Sequence, residues 1–86
     1  MNVNEFEIRV TEKDIINGKP GEGNKCPIAL RLKAIGLLSP NVDPEYIRFT
    51  KDGKRYKIKT PVRIADWIED YDYNGSNRPT RFKLKI

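Results

Sequence analysis

Residues 5–10, EFEIRV, set Phe6, Ile8 and Val10 against Glu5, Glu7 and Arg9. A period of two with one polar side predicts a strand that buries one face. The rhythm then changes in TEKDIINGK. Thr11 is placed to cap a helix, and Asp14 stands at the third helical position of a capping box, where Asp is a weaker choice than Glu or Gln. Ile15 and Ile16 are the only apolar anchors, and Asn17-Gly18 is a stop signal, so one or two helical turns are expected. Residues 19–25 read as a loop.

Pro27 suits the first turn of a second helix. At 100° per residue Ile28, Leu32 and Ile35 share one face, while Leu30 and Ala34 fall elsewhere and only Arg31 and Lys33 interrupt the apolar surface. A helix apolar nearly all round is expected to be buried on more than one side, and Gly36 ends it. LLSPNVDPE, 37–45, has two prolines and no period, and reads as a connecting loop. YIRFTKDGKRYKIKT then spells a hairpin: Asp52-Gly53 is a strong turn signal, with Ile47 and Phe49 alternating on one arm and Tyr56 and Ile58 on the other. Thr60-Pro61 reads as a cap and first-turn proline for a third helix. Its Ile64, Trp67, Ile68 and Tyr71 form one stripe, with Asp66, Glu69 and Asp70 opposite and Asn74-Gly75 as the stop. TRFKLKI closes the chain as a strand burying Phe82, Leu84 and Ile86.

The order is strand, short helix, helix, hairpin, helix, strand. Strands with one-sided alternation imply an α+β domain spanning 1–86, with a small antiparallel sheet of about four strands and helices packed on one face. Glu5 and Glu7 complement Lys83 and Lys85, so the two terminal strands are expected to pair.

Composition narrows the chemistry. Eighty-six residues suffice for one domain, of modest stability at this size. One cysteine and no histidine exclude an internal disulfide, an ordinary zinc site and any histidine-based triad. No basic n-region with an apolar h-region opens the chain, and no apolar run reaches about 18 residues. With a lone thiol, this suggests a reducing cytoplasm. Small domains without staples often self-associate, and a homodimer through residues 27–36 is expected. The net charge of +5 favours anionic partners, although solubility alone also accounts for it.

Two basic segments stand out. In GKPGEGNKCP, Lys19, Gly21, Gly23, Asn24, Lys25 and Cys26 lead into a helix start and form a candidate anion site. The same residues also suit a plain helix–helix joint. No Gly-Lys-Ser/Thr follows, no strand directly precedes, and Pro27 removes one donor, so neither a P-loop nor a dinucleotide fingerprint is present. Cys26 at a helix start beside Lys25 has the setting of a reactive thiol, but the commoner role of a lone cysteine is a small buried residue. Trp67 lies inside an apolar stripe and reads as core. Asp66, Glu69 and Asp70 read as a solvated helix face rather than paired catalytic carboxylates. No enzyme activity and no cofactor are expected. The second segment is the outer face of the hairpin, where Arg48, Arg55, Lys57 and Lys59 have no obvious acidic neighbours. It suits nucleic acid, or a solvated edge that resists aggregation.

The pieces T-x-x-D-I-x-x-G (residues 11–18), C-P-I-A-L (26–30) and RPTRFKLKI (78–86) together resemble a group of small uncharacterised phage and bacterial proteins. That group carries no agreed activity and supplies no site residue. The resemblance implies a compact, phage-encoded accessory protein acting on a host by binding, counter-defence included. Two expectations follow. The first is a non-enzymatic binding protein holding an anionic ligand such as a nucleotide signal, or an acidic host protein, at the 18–27 loop. The alternative is a nucleic-acid-binding accessory module that uses the basic hairpin face.

Overall fold

The computed structural model describes residues 5–86. The chain runs β1 (Glu5–Val10), α1 (Glu12–Asn17), α2 (Pro27–Ala34), β2 (Leu38–Val42), β3 (Tyr46–Lys51), β4 (Lys54–Lys59), α3 (Val62–Asn74) and β5 (Thr80–Lys85). The α+β class, the antiparallel pairing and the packing of helices against buried sheet faces are as the pattern implies. Among the described residues five strands form two sheets: β1 with β5, and β2-β3-β4 with β3 in the centre.

The terminal strands pair antiparallel with Glu5 opposite Lys85 and Glu7 opposite Lys83. Glu5 reaches both lysines, its two carboxylate oxygens lying 3.7 Å from Lys83 Nζ and 3.8 Å from Lys85 Nζ. Such exposed pairs contribute less than about 1 kcal/mol each. Burial of Ile8, Val10, Phe82 and Leu84 on the other face outweighs them, at about 1.5–3 kcal/mol for a large side chain taken fully from water. A one-residue slip would turn those four side chains out to solvent, so burial fixes the register and the charges agree with it.

One contiguous core collects Ile8 and Val10 of β1, Ile28 and Leu32 of α2, Ile47 and Phe49 of β3, Ile64, Ile68 and Tyr71 of α3, and Leu84 of β5. The α1 capping box forms as expected. The Thr11 side chain accepts from the Asp14 amide, and the Asp14 carboxylate accepts from the Thr11 amide at 2.9 Å. Asp14 also accepts from Arg31 Nε and Nη2 at 3.1 and 3.0 Å, which ties α1 to α2.

Four local expectations are corrected. Residues 38–42 are a strand, not loop; Pro40 is tolerated because β2 lies at the sheet edge, where a missing amide breaks no ladder. The buried face of α2 is Pro27, Ile28, Ala29 and Leu32, whereas Ile35 is 40% exposed and Ala34 is exposed, so the helix is not buried all round. Thr60 does not cap α3. Pro61 holds the cap position, and the buried Thr60 hydroxyl donates to the Asp43 carbonyl at 2.9 Å. Of the two α1 isoleucines only Ile15 is an anchor, Ile16 being 75% exposed.

Candidate functional site

The 18–27 loop joins α1 to α2, and its hydrogen bonds turn inward. Gly23 carbonyl accepts the Val42 amide at 2.8 Å, so the loop covers the free edge of β2. A Cβ on Gly23 would come within 2.5 Å of Asn41 Oδ1 and 2.8 Å of the Val42 oxygen, and one on Gly18 within 2.7 Å of the Pro27 ring. Both glycines are therefore required by close packing. The Gly21 amide donates to Asp72 Oδ1 at 2.9 Å. At the start of α2, Cys26 Sγ accepts the Ala29 amide at 3.4 Å. Cys26 is buried, and burial raises its thiol pKa above the ordinary value despite the helix amides that favour the thiolate. Lys19, Asn24 and Lys25 are exposed, and Lys25 Nζ lies 3.9 Å from Glu22. The depression beside the loop, about 150 Å³, has Glu22, Asp43 and Asp72 in its wall and neither lysine nor arginine. The Gly21 amide is thus already bonded to a carboxylate, and the Lys19, Lys25 and Ala29 amides to carbonyl or sulfur. Among the described residues no three His, Cys, Asp or Glu side chains gather to hold a metal ion.

The hairpin face is built differently. In the β3–β4 register, Tyr46 stands opposite Lys59, Arg48 opposite Lys57 and Thr50 opposite Arg55, while Ile47 meets Ile58 and Phe49 meets Tyr56 on the buried side. The strands' alternation therefore gathers Arg48, Arg55, Lys57 and Lys59 on one face, with Tyr46 among them. Lys57 Nζ lies 4.2 Å and Arg48 Cζ 5.4 Å from the Tyr46 ring centroid, both within cation–π range. Arg55 is laid across the sheet, donating from Nη1 to the Ser39 carbonyl at 2.7 Å and to Thr50 Oγ1 at 3.1 Å. Ser39 sits at the β2 irregularity with φ of 48°.

The expectation that none of these cations has an acidic neighbour is corrected for Arg48. Its Nη1 bonds Asp43 Oδ2 at 3.1 Å. Asp43 Oδ1 accepts the amides of Glu45 and Tyr46 at 2.8 and 2.7 Å, fixing the turn into β3. Partial burial works to raise the Asp43 pKa, but these amides and the Arg48 guanidinium outweigh it and hold the carboxyl below its usual value.

Residues 46–59 carry six basic side chains and one acidic, a surplus equal to the +5 of the whole chain, so the remaining residues balance to zero. That count was available from sequence. Tyr46 shares parity with Arg48 in the sequence, which places it on the same face of the strand. Asp43 was hidden because its partner is reached only through the turn.

Comparison of the chain with family models, with curated proteins and with solved structures finds no match. The resemblance to small phage and bacterial proteins rests on its motifs alone.

Proposed function

We propose that this protein is a nucleic-acid-binding module whose contact surface is the outer face of β3 and β4. The observation that carries the reading is the placement of Arg48 directly opposite Lys57, with Arg55, Lys59 and the Tyr46 ring on the same face. Like charges directly opposite cost stability. Only Arg48 of the four has a carboxylate partner among the described ion pairs. The β1–β5 sheet is better balanced, because there Glu5 offsets Lys83 and Lys85 and Glu7 offsets Arg9, although Arg9 also stands opposite Arg81. A polyanion supplies the missing countercharge, and the aromatic ring among the cations favours nucleic acid over an acidic protein.

The loop reading, an anionic ligand held by Lys19, Gly21, Gly23, Asn24, Lys25 and Cys26, has less support, since the Gly21 amide is bonded to Asp72 and the adjoining depression is acidic. A homodimer through residues 27–36 likewise has little to stand on. The most apolar residues of α2 are covered within the chain, leaving Ala34, Ile35 and half-buried Leu30 for a partner. No helix among the described residues is long and apolar enough to cross a membrane.

The test is competition. A labelled oligonucleotide bound at low salt should be displaced by unlabelled DNA or RNA far better than by poly-glutamate at equal charge. Equal displacement by poly-glutamate would transfer the reading to an acidic protein, and no binding at all would end it.

A further inference from the structure

Beside the basic face, a cleft of about 360 Å³ opens between the start of β3, the end of β4 and the start of α3, lined by Pro44, Glu45, Tyr46, Lys59, Val62 and Ala65. Its volume lies in the range of small-molecule pockets, roughly 300–1,000 Å³. Its wall combines an aromatic ring, aliphatic surface, the Lys59 cation and the Glu45 carboxylate. Val62 is 77% exposed although it stands in the first turn of α3, where a polar residue would serve the helix as well.

We propose that this face takes a single nucleic-acid strand and that one unstacked base of it seats in the cleft against Tyr46 and Val62. The inference rests on the reading of β3 and β4 as a nucleic-acid interface and adds which form of nucleic acid it takes. Three observations carry it. The cleft is continuous with the cations, because Tyr46 and Lys59 belong to both. Arg55, Lys57 and Lys59 recur at every second position of β4, about 6.8 Å apart along a strand, a spacing close to the phosphate repeat of an extended single strand. The cleft itself offers stacking and aliphatic contact rather than a row of donors. A duplex keeps its base faces inside the stack and has nothing to place there, whereas a single strand presents them. Glu45 on the rim repels phosphate from the cleft and is able to accept a hydrogen bond from a base amino group.

The experiment measures anisotropy of a labelled oligonucleotide, single-stranded and as a duplex of the same sequence, at low salt. Wild type should bind the single strand about tenfold more tightly. Tyr46→Leu should lose about tenfold in single-strand affinity, as expected for removal of one stacked base, and distinctly less for the duplex; Tyr46→Phe should retain it. Val62→Ser, at an exposed position that folding does not depend on, should lose about threefold for the single strand alone, and it decides the matter if Tyr46→Leu melts early. Equal binding of strand and duplex, or a preference for duplex, overturns the base-in-cleft inference while leaving the interface reading intact. The same holds if Tyr46→Leu and Val62→Ser are both folded and without effect. Binding of neither form overturns both.

Discussion

Lys57 Nζ lies 4.2 Å from the centroid of the Tyr46 ring, two residue pairs along the hairpin from where Lys57 meets Arg48. The ring gives the ammonium a weak, uncharged partner worth about 0.5–1 kcal/mol at an exposed site. That is enough to place the lysine over the face of the sheet and too little to neutralise it. The face thus keeps its charge while holding its side chains in order, which suits a surface that exchanges one loosely held partner for a stronger anion.

Asp43 organises the entry to that face, and its role is pH-dependent. Its folded pKa lies below its ordinary value, so the stabilisation it provides is present above the unfolded carboxyl's pKa, about 4, and is lost as pH falls through the lower folded value. The carboxylate is 40% exposed, and the contribution should stay below about 1 kcal/mol. Urea unfolding should find Asp43→Asn less stable than wild type at pH 7, with the gap narrowing as the pH is lowered below about 4. A gap that does not change with pH would remove the charge from the explanation.

The Asp14–Arg31 pair is the better-buried ion pair, its side chains 12% and 27% exposed. Arg31→Ala leaves a nearly buried carboxylate with only the Thr11 amide and hydroxyl, and should cost about 1–3 kcal/mol. In a domain of this size each 1 kcal/mol lowers Tm by about 4–8 °C. A Tm within 2 °C of wild type would show that α1 is held by Ile15 and its cap alone.

Gly23→Ala should destabilise by about 1–3 kcal/mol, because the new methyl meets the β2 backbone as well as a movable side chain. Denaturant titration is the measurement. Unchanged stability would mean that the loop does not close on the β2 edge, and would restore its glycines to the anion-site reading.

Cys26 should react slowly with a thiol reagent at neutral pH, and at a normal rate once urea unfolds the chain. Burial both shields it and lowers its thiolate fraction. Reaction of the native protein at the free-cysteine rate would contradict the capped, buried position.

Much of this architecture is legible along the chain, and the places where it is not share a cause. Local signals were sufficient where each residue's own neighbours decide the outcome: the Thr11–Asp14 box, the Asp52-Gly53 hairpin turn and the left-handed Gly75 stop. The pairing of Glu5 with Lys83 and Lys85 was readable because the charges alternate in step with the strands. Sequence reasoning failed where a distant segment supplies the reason. Residues 38–42 carry Pro40 and no period, and become a strand because β3 offers an edge and the 18–25 loop covers the other side. Ile35 looked like core because helical period alone cannot tell which side meets β1 and β2. Thr60 looked like a cap, yet its hydroxyl is taken by the Asp43 carbonyl, 17 residues away. The hairpin's charged face was legible residue by residue, whereas the cleft beside it required α3 to arrive.

The most direct measurement is the salt dependence of oligonucleotide binding by wild type and by the folded double variant Arg55→Ala with Lys57→Ala. Each phosphate neutralised contributes about 0.7 to the log–log slope for a single strand and about 0.9 for a duplex. The account predicts weaker binding by the double variant at every salt concentration, with the slope flattened by about 1.4–1.8. Affinity and slope equal to those of wild type would contradict it, and would leave the cations of β3 and β4 as a solvated face.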